Sequence, residues 1–400
     1  TIPNSVTTIG NGAFKGCSSL ASIMVPHDVT VLTDAFDSGT TVTRRRDGEQ
    51  AQQQQNAHKK KAEVYLNQRQ QNASNWTPEC ASVVVVPDGV TTIGEKAFAE
   101  CSSLTSITLP SSVTTIGKYA FSECSSLTSI TLPNNLMTIG VAGFGGCSSL
   151  ASITIPNSVT TIGDGVFYGC SSLASATLPN SVTRIGKMAF DGCTSLTSIT
   201  LPNSVMTIGD GAFKGCPSLT SVTLPNSVTT IGTLAFDGCS SLTAITIPSS
   251  VSTIGDGAFR GCSSLTSMVL PNSVTAIEDG AFFKCSSLTS ITLPNGVTAI
   301  GDGAFFRCSA LTAITLPNSV TAIGKWGFRG CSSLASITLP NSVTTIKDGA
   351  FWGCSSLTSI TVPHGVTIVP GAFDSGTTVT YPDGEEYLKK EASPLEHAEL

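Results

Sequence analysis

Fourteen cysteines are the residues of this 400-residue chain best suited to chemistry, as disulfides, metal ligands or nucleophiles. Twelve of them, Cys101 to Cys354, recur every 23 residues without a break. No Cys-x-x-Cys pair occurs, so the local spacing of a zinc site is missing. Stacked at one repeat per layer, successive thiols would approach to roughly 5 Å, which a disulfide can accept. Yet each layer offers the same side-chain direction, and a phenylalanine stands three residues ahead of every rung, from Phe98 to Phe351. That pairing describes a buried ladder, in which a free cysteine behaves as a small hydrophobe. Buried thiols are the expectation and disulfides the alternative. Cys80 lies off the ladder and is the candidate for exposure.

Acid–base and nucleophilic chemistry have little to draw on. The four histidines, His27, His58, His364 and His397, all fall outside the regular repeats, and no nucleophile elbow, phosphate loop or His-Glu-x-x-His occurs. Gly-Asp-Gly turns recur at Asp164, Asp210, Asp256 and Asp302, with Asp279 and Asp348 in related turns. One carboxylate per repeat is too few for the oxygen shell that calcium requires, so these read as surface turn acids. The expectation is no catalytic residue, no metal and no cofactor.

The elements that carry these residues follow from one repeat. Leu196, Ile199 and Leu201 should point inward from a short strand, with Thr200 pointing out. Pro202 ends the strand, since it cannot donate to a ladder. Val205 and Ile208 form a second apolar pair, Gly209 to Gly211 a tight turn, and Phe213 and Cys216 close the coil. A fixed period of this length with a Leu-x-x-Ile-x-Leu core marks a β-rich solenoid whose coils are stable only when stacked.

The pattern L-x-x-I-x-L-P-x-x-[VL]-x-x-I-x-x-x-A-F-x-x-C runs through residues 80–375 and again through 1–43. In this the chain resembles the BspA-like leucine-rich repeats. The resemblance implies a right-handed superhelical arc of 23-residue coils with short strands. It also implies a secreted or cell-surface setting and a role in adhesion or protein–protein contact.

Departures from the repeat divide the chain. Residues 25–42 and 362–379 are near copies that lose the cysteine and shorten the unit, as C-terminal caps should. Residues 1–43 then end a first array, and 80–380 form the main array with its own cap. Residues 44–79 make a Gln-rich basic linker, expected to be partly helical, and 381–400 a polar tail. A helix around Ala62 to Leu66 is a candidate cover for Val83 and Val85, which stand where other coils show Ser and Thr. The linker also holds two glycosylation sequons, at Asn72 and Asn75. The chain opens in mid-repeat at Thr1, so the N-terminus is expected to be incomplete.

Two surfaces stand out. The strand face carries Ser in ten of twelve coils (Ser106 to Ser359) and Thr in eleven (Thr108 to Thr361), a polar ladder that also suits ice binding. The residue after each array phenylalanine varies freely, and in the last four coils it becomes Phe283, Phe306, Arg329 and Trp352. Lys284, Arg307 and Trp326 lie close by in sequence. With every residue of that column expected to be exposed, these seven form the candidate binding site, since clustered aromatic and Arg residues compose interaction hot spots.

Charged residues make up only 12% of the chain, and a net charge of -6 argues against nucleic-acid and anionic-membrane binding. No apolar run approaches the ~18 residues of a membrane span. The expected function is non-catalytic: binding of a protein or a surface glycoconjugate by a monomer. A structural array without a dedicated ligand is the alternative.

Overall fold

A computed structural model describes residues 2–3, 5–44 and 79–387, and contains no helix among them. The chain divides into two compact units, Thr1–Gln70 and Gln71–Leu400. The linker's helix, its sequons and most of the tail lie outside the described residues.

Most coils of the larger unit carry a three-residue and a two-residue strand, such as Ser198–Thr200 and Thr207–Ile208. Both pair in parallel with the same residues of the next coil. Ser198 faces Ser221, Ile199 faces Val222, Thr200 faces Thr223, and Thr207 faces Thr230. The architecture is therefore a parallel β-solenoid, in 23-residue register through the regular coils and shortened at the cap. Along the longer strand Ser198 and Thr200 are exposed while Ile199 is buried, as strand alternation demands. Leu196, Leu201, Val205 and Ile208 join Ile199 in the core.

The third side holds the phenylalanine column. Twelve rings, Phe98 to Phe351, are fully buried. They stack with centroids 5.2–5.9 Å apart, and Phe373 of the cap continues the column at 5.2 Å. Each contributes roughly 2–3 kcal/mol by burial, part of it against the rings of the neighbouring coils. Glycine serves two purposes in the preceding turn. Gly211 has φ +58°, whereas a Cβ on Gly209 would lie 2.7 Å from the carbonyl carbon of Gly186. The first needs a left-handed backbone, and the second needs room for the coil beneath.

Eleven rungs of the cysteine ladder, Cys124 to Cys354, are buried free thiols. Each donates to the carbonyl of the phenylalanine 26 residues earlier, as in Cys124 Sγ to Phe98 O at 3.0 Å and Cys354 Sγ to Phe328 O at 3.1 Å. Burial pushes the Cys285 thiol up to about 12, far from nucleophilic at neutral pH. The first rung departs from the expected pattern: Cys101 forms a disulfide with Cys80. Its position in the chain explains the difference. Twenty-six residues before Cys101 stands Asn75 rather than an array phenylalanine. Cys80 itself is exposed.

The two duplicated endings work by the same device. In regular coils a glycine N–H donates to the next coil's backbone, as Gly330 does to the carbonyl of Trp352. At the last regular coil Gly353 N–H donates instead to the Asp374 carboxylate at 2.9 Å. Gly16 N–H meets Asp37 in the same way at 3.0 Å. An aspartate thus ends the ladder in each unit.

Candidate functional site

The coil lifts its variable residues onto one ridge. After the buried phenylalanine the chain turns outward for one residue, passes through a left-handed residue, and returns inward at the cysteine. Glycine fills the left-handed position in most coils, including Gly261 (φ +68°) and Gly330 (φ +74°). Lys284 and Arg307 hold it instead, with φ 59° and 57°, and Trp326 (φ 59°) takes a second glycine position, that of Gly303 and Gly349. A side chain in this conformation costs about 1 kcal/mol or more. Glu100 and Glu123, near the other end of the array, pay the same cost.

All seven candidate residues meet on this ridge. Phe283 and Phe306 stack at 4.5 Å with 5° between their planes, and Trp326 tilts against Phe306 at 6.4 Å. Cations cover the rings. Lys284 lies over Phe283 at 5.3 Å and Arg307 over Phe306 at 5.4 Å. Arg329 sits 4.5 Å over Trp352 and 5.3 Å over Trp326. Each such contact stabilises by roughly 0.5–2 kcal/mol. The result is a rail of alternating aromatic and cationic groups across four coils.

One expectation needs correction. The column was expected to be exposed throughout, but Phe306 is only 7% exposed. Phe283, Arg307 and Trp326 enclose its ring. Phe283, Trp326 and Arg329 are half-buried, Lys284 and Arg307 are exposed, and Trp352 is 38% exposed. Two further members escaped the sequence reading. Arg260 covers the other end of Phe283 at 5.1 Å, and Lys325 covers Trp326 at 4.6 Å. Arg260 holds the same column one coil earlier, and that position was the available signal.

The charges on the rail are not equivalent. Arg260 pairs with Asp237 at 3.8 Å, and Lys325 pairs with Asp348 at 3.6 Å. Lys284, Arg307 and Arg329 have no carboxylate within 4 Å among the described residues. Nearby acids are already engaged: Asp302 pairs with Lys347 at 3.2 Å and accepts the Lys325 N–H at 2.8 Å, and Asp279 accepts the Asp302 N–H at 2.6 Å. Further down the column burial raises the carboxyls of Asp191 and Asp237; Lys214 pulls Asp191 back, and Arg260, more than Lys214, pulls Asp237 back.

The other surfaces hold less. Turn carboxylates accept backbone N–H groups of the following coil, as Asp164 does from Lys187 at 2.9 Å. Among the described residues no group of three or more His, Cys, Asp or Glu could hold a metal ion, and no helix is long and apolar enough to cross a membrane. His364 stacks on Tyr381 and pairs with Asp383 in the cap. Val83 and Val85 are half-buried, and their suggested helical cover lies outside the described residues. On the strand face two shallow depressions of about 340 and 380 Å³ open beside Thr292, Asn295 and Thr315, and beside Thr338, Asn341 and Thr361.

Comparison with known proteins adds the following. A family profile described as BspA type leucine-rich repeat region (6 copies) matches residues 1–44, 75–197, 160–288 and 253–380. A leucine-rich repeat protein from Bacteroides ovatus is 35% identical, with 75% of this chain and 83% of that one covered, at a TM-score of 0.62. The pneumococcal vaccine antigen PcpA is 19% identical over 96% of this chain and 91% of its own, with a TM-score of 0.51, which speaks for the fold alone. A search of curated proteins finds no match.

Proposed function

The chain belongs to the BspA-type leucine-rich-repeat family, and from that premise we propose that it is a non-catalytic binding module, secreted or displayed at a cell surface, that grips its partner with the ridge from Phe283 to Trp352. The observation that carries this reading is the rail itself. Aromatic and cationic side chains from four consecutive coils stack on one another here, whereas earlier in the same column, from Ala99 to Asp237, Tyr168 is the one aromatic residue. The Cys80–Cys101 disulfide supports an oxidising compartment. The step from fold to adhesion is an analogy, and the ridge supplies its local content.

The test is adhesion of beads carrying residues 1–400 to a panel of cultured cells, compared with beads carrying Lys284→Gly/Arg307→Gly/Trp352→Ser. The reading expects the parent to adhere and the variant to adhere several-fold less at an unchanged melting temperature. Equal adhesion of the two would reject the ridge as the contact surface.

A second reading rests on the strand face. Hydroxyls in the Ser and Thr columns are exposed and, apart from a Thr361–Thr380 contact, make no hydrogen bond among the described residues, whereas other serines, such as Ser181 to the Val159 carbonyl at 2.6 Å, bond back to the coil. A regular array of unused hydroxyls suits an ice lattice. Thermal hysteresis in the presence of the protein would favour this reading, and its absence would remove it.

A further inference from the structure

Glycine is the default at the two left-handed positions of each coil, and the residues that replace it are placed with a symmetry. The regular coils are numbered 1 to 12 by their phenylalanines, Phe98 to Phe351. Ten residues other than glycine have positive φ in them, all in two columns. Two residues before the phenylalanine stand Lys96, Tyr119, Ala142, Met188, Leu234 and Trp326, and two residues after it stand Glu100, Glu123, Lys284 and Arg307. Every other coil holds glycine at these positions. Trp326 touches Phe306 and Arg329 of the column between, so the three columns share one face.

The charged replacements sit in matched pairs of coils, the two glutamates in coils 1 and 2 and the two cations in coils 9 and 10. None of the four has an ion pair among the described residues. A two-fold axis lying across the ridge, at right angles to the solenoid axis, lays each column of one copy on the same column of a second with the coil order reversed. With the axis between coils 5 and 6, coil n faces coil 11 − n. Glu100 then meets Arg307, Glu123 meets Lys284, and both pairs recur at the other end. Both copies have the same coil spacing, so the pairs come into register together.

The uncharged replacements obey the same axis. Within the overlap each of them faces a glycine: Tyr119 faces Gly280, Ala142 faces Gly257, Met188 faces Gly211 and Leu234 faces Gly165, and Lys96 likewise faces Gly303. Tyr119 and Met188 are exposed apolar side chains, at 39% and 37%, that the contact would cover. In the middle column Phe283 and Phe306 face the small Ser122 and Ala99. Moving the axis by half a coil sets Lys96 against Trp326 or Ala142 against Leu234, and leaves one of the two charge pairs.

We propose that the ridge binds a second copy of this chain, antiparallel, about a two-fold axis between the coils of Phe190 and Phe213, in place of the monomer expected from the sequence. This rests on the reading of the ridge as a contact surface and names one occupant of it. Trp326, Arg329 and Trp352, in coils 11 and 12, lie beyond the overlap, so a dimer presents that end of the rail twice to an outside partner. Tyr168, in coil 4, lies within the overlap, where a cross-linker reaches the second copy and no cell component.

The experiment is sedimentation of the full chain over a range of concentrations, beside two charge-reversed variants, Glu100→Lys/Glu123→Lys and Lys284→Glu/Arg307→Glu, whose melting curves report folding. The parent is expected to form a dimer that weakens as salt rises. Each variant alone is expected to stay monomeric where the parent is dimeric, because like charges then meet at both ends. An equimolar mixture of the two variants is expected to restore a dimer, because every reversed group then faces an opposite charge. In the parent, a photo-cross-linker replacing Tyr119 is expected to join the second copy near Gly280. A parent that stays monomeric, variants that dimerise as the parent does, a mixture of folded variants that stays monomeric, or a cross-link from position 119 to another segment overturns the proposal. Loss of adhesion in the ridge-variant beads together with a monomeric parent leaves the ridge as the surface for an outside partner and removes only the second copy.

Discussion

At the scale of single residues, the core positions were legible because they repeat. Phe213 and Cys216 could be placed inside from their spacing alone, and both are fully buried. What could not be read was the environment of a residue whose neighbours belong to other coils. Phe306 looks like any member of the variable column, but rings from the coils before and after enclose it. Phe306→Ser is therefore expected to lower stability by about 2 kcal/mol, a large side chain lost from a buried site, and denaturant melts would show it. An unchanged midpoint would mean that its burial contributes nothing. Lys284→Gly removes a strained conformation but frees the unfolded chain, two opposing effects of roughly 1 kcal/mol each. Its melt should fall within ~0.5 kcal/mol of the parent, and a larger loss would show that the left-handed strain had been misread.

Among the elements, strands were legible from alternation, and the duplicated endings from their loss of cysteine. The chemistry that closes each array was not, because it depends on a carboxylate reaching a glycine N–H 21 residues away. Asp374→Ala should leave that N–H without its charged acceptor and cost about 1–2 kcal/mol, seen as faster amide exchange at Gly353. Exchange no faster than in the parent would refute the capping role. The disulfide at the opposite end was likewise hidden, since Cys80 obeys no period. Cys80→Ser should free the first coil and cost up to ~3 kcal/mol, with early protease cutting confined to residues near 80–101. On the ridge, burial raises the Asp191 carboxyl above its ordinary value. A group raised in the folded state favours folding when protonated and opposes it once pH climbs past the folded value. Asp191→Asn should therefore melt higher than the parent near pH 7. That advantage should shrink as pH falls toward and below the ordinary aspartate range. A lower melt for the variant at pH 7 would contradict the assignment of burial as the dominant cause.

For the molecule as a whole, the period alone was enough to fix a solenoid, because no single coil can bury its own apolar faces. The same regularity explains why function was hard to read: a coil that matches its neighbours carries no information about a ligand. Information enters where the repeat is broken, and the rail from Phe283 to Trp352 is such a break on the surface. The most direct test of that claim places a photo-crosslinking amino acid at Trp352 and, as a control in the same column of a distant coil, at Tyr168. Both positions are exposed, at 38% and 50%. On cells to which the parent adheres, the account predicts a cross-linked adduct from position 352 and none from position 168. Adducts of equal yield from both positions, or from 168 alone, would contradict it.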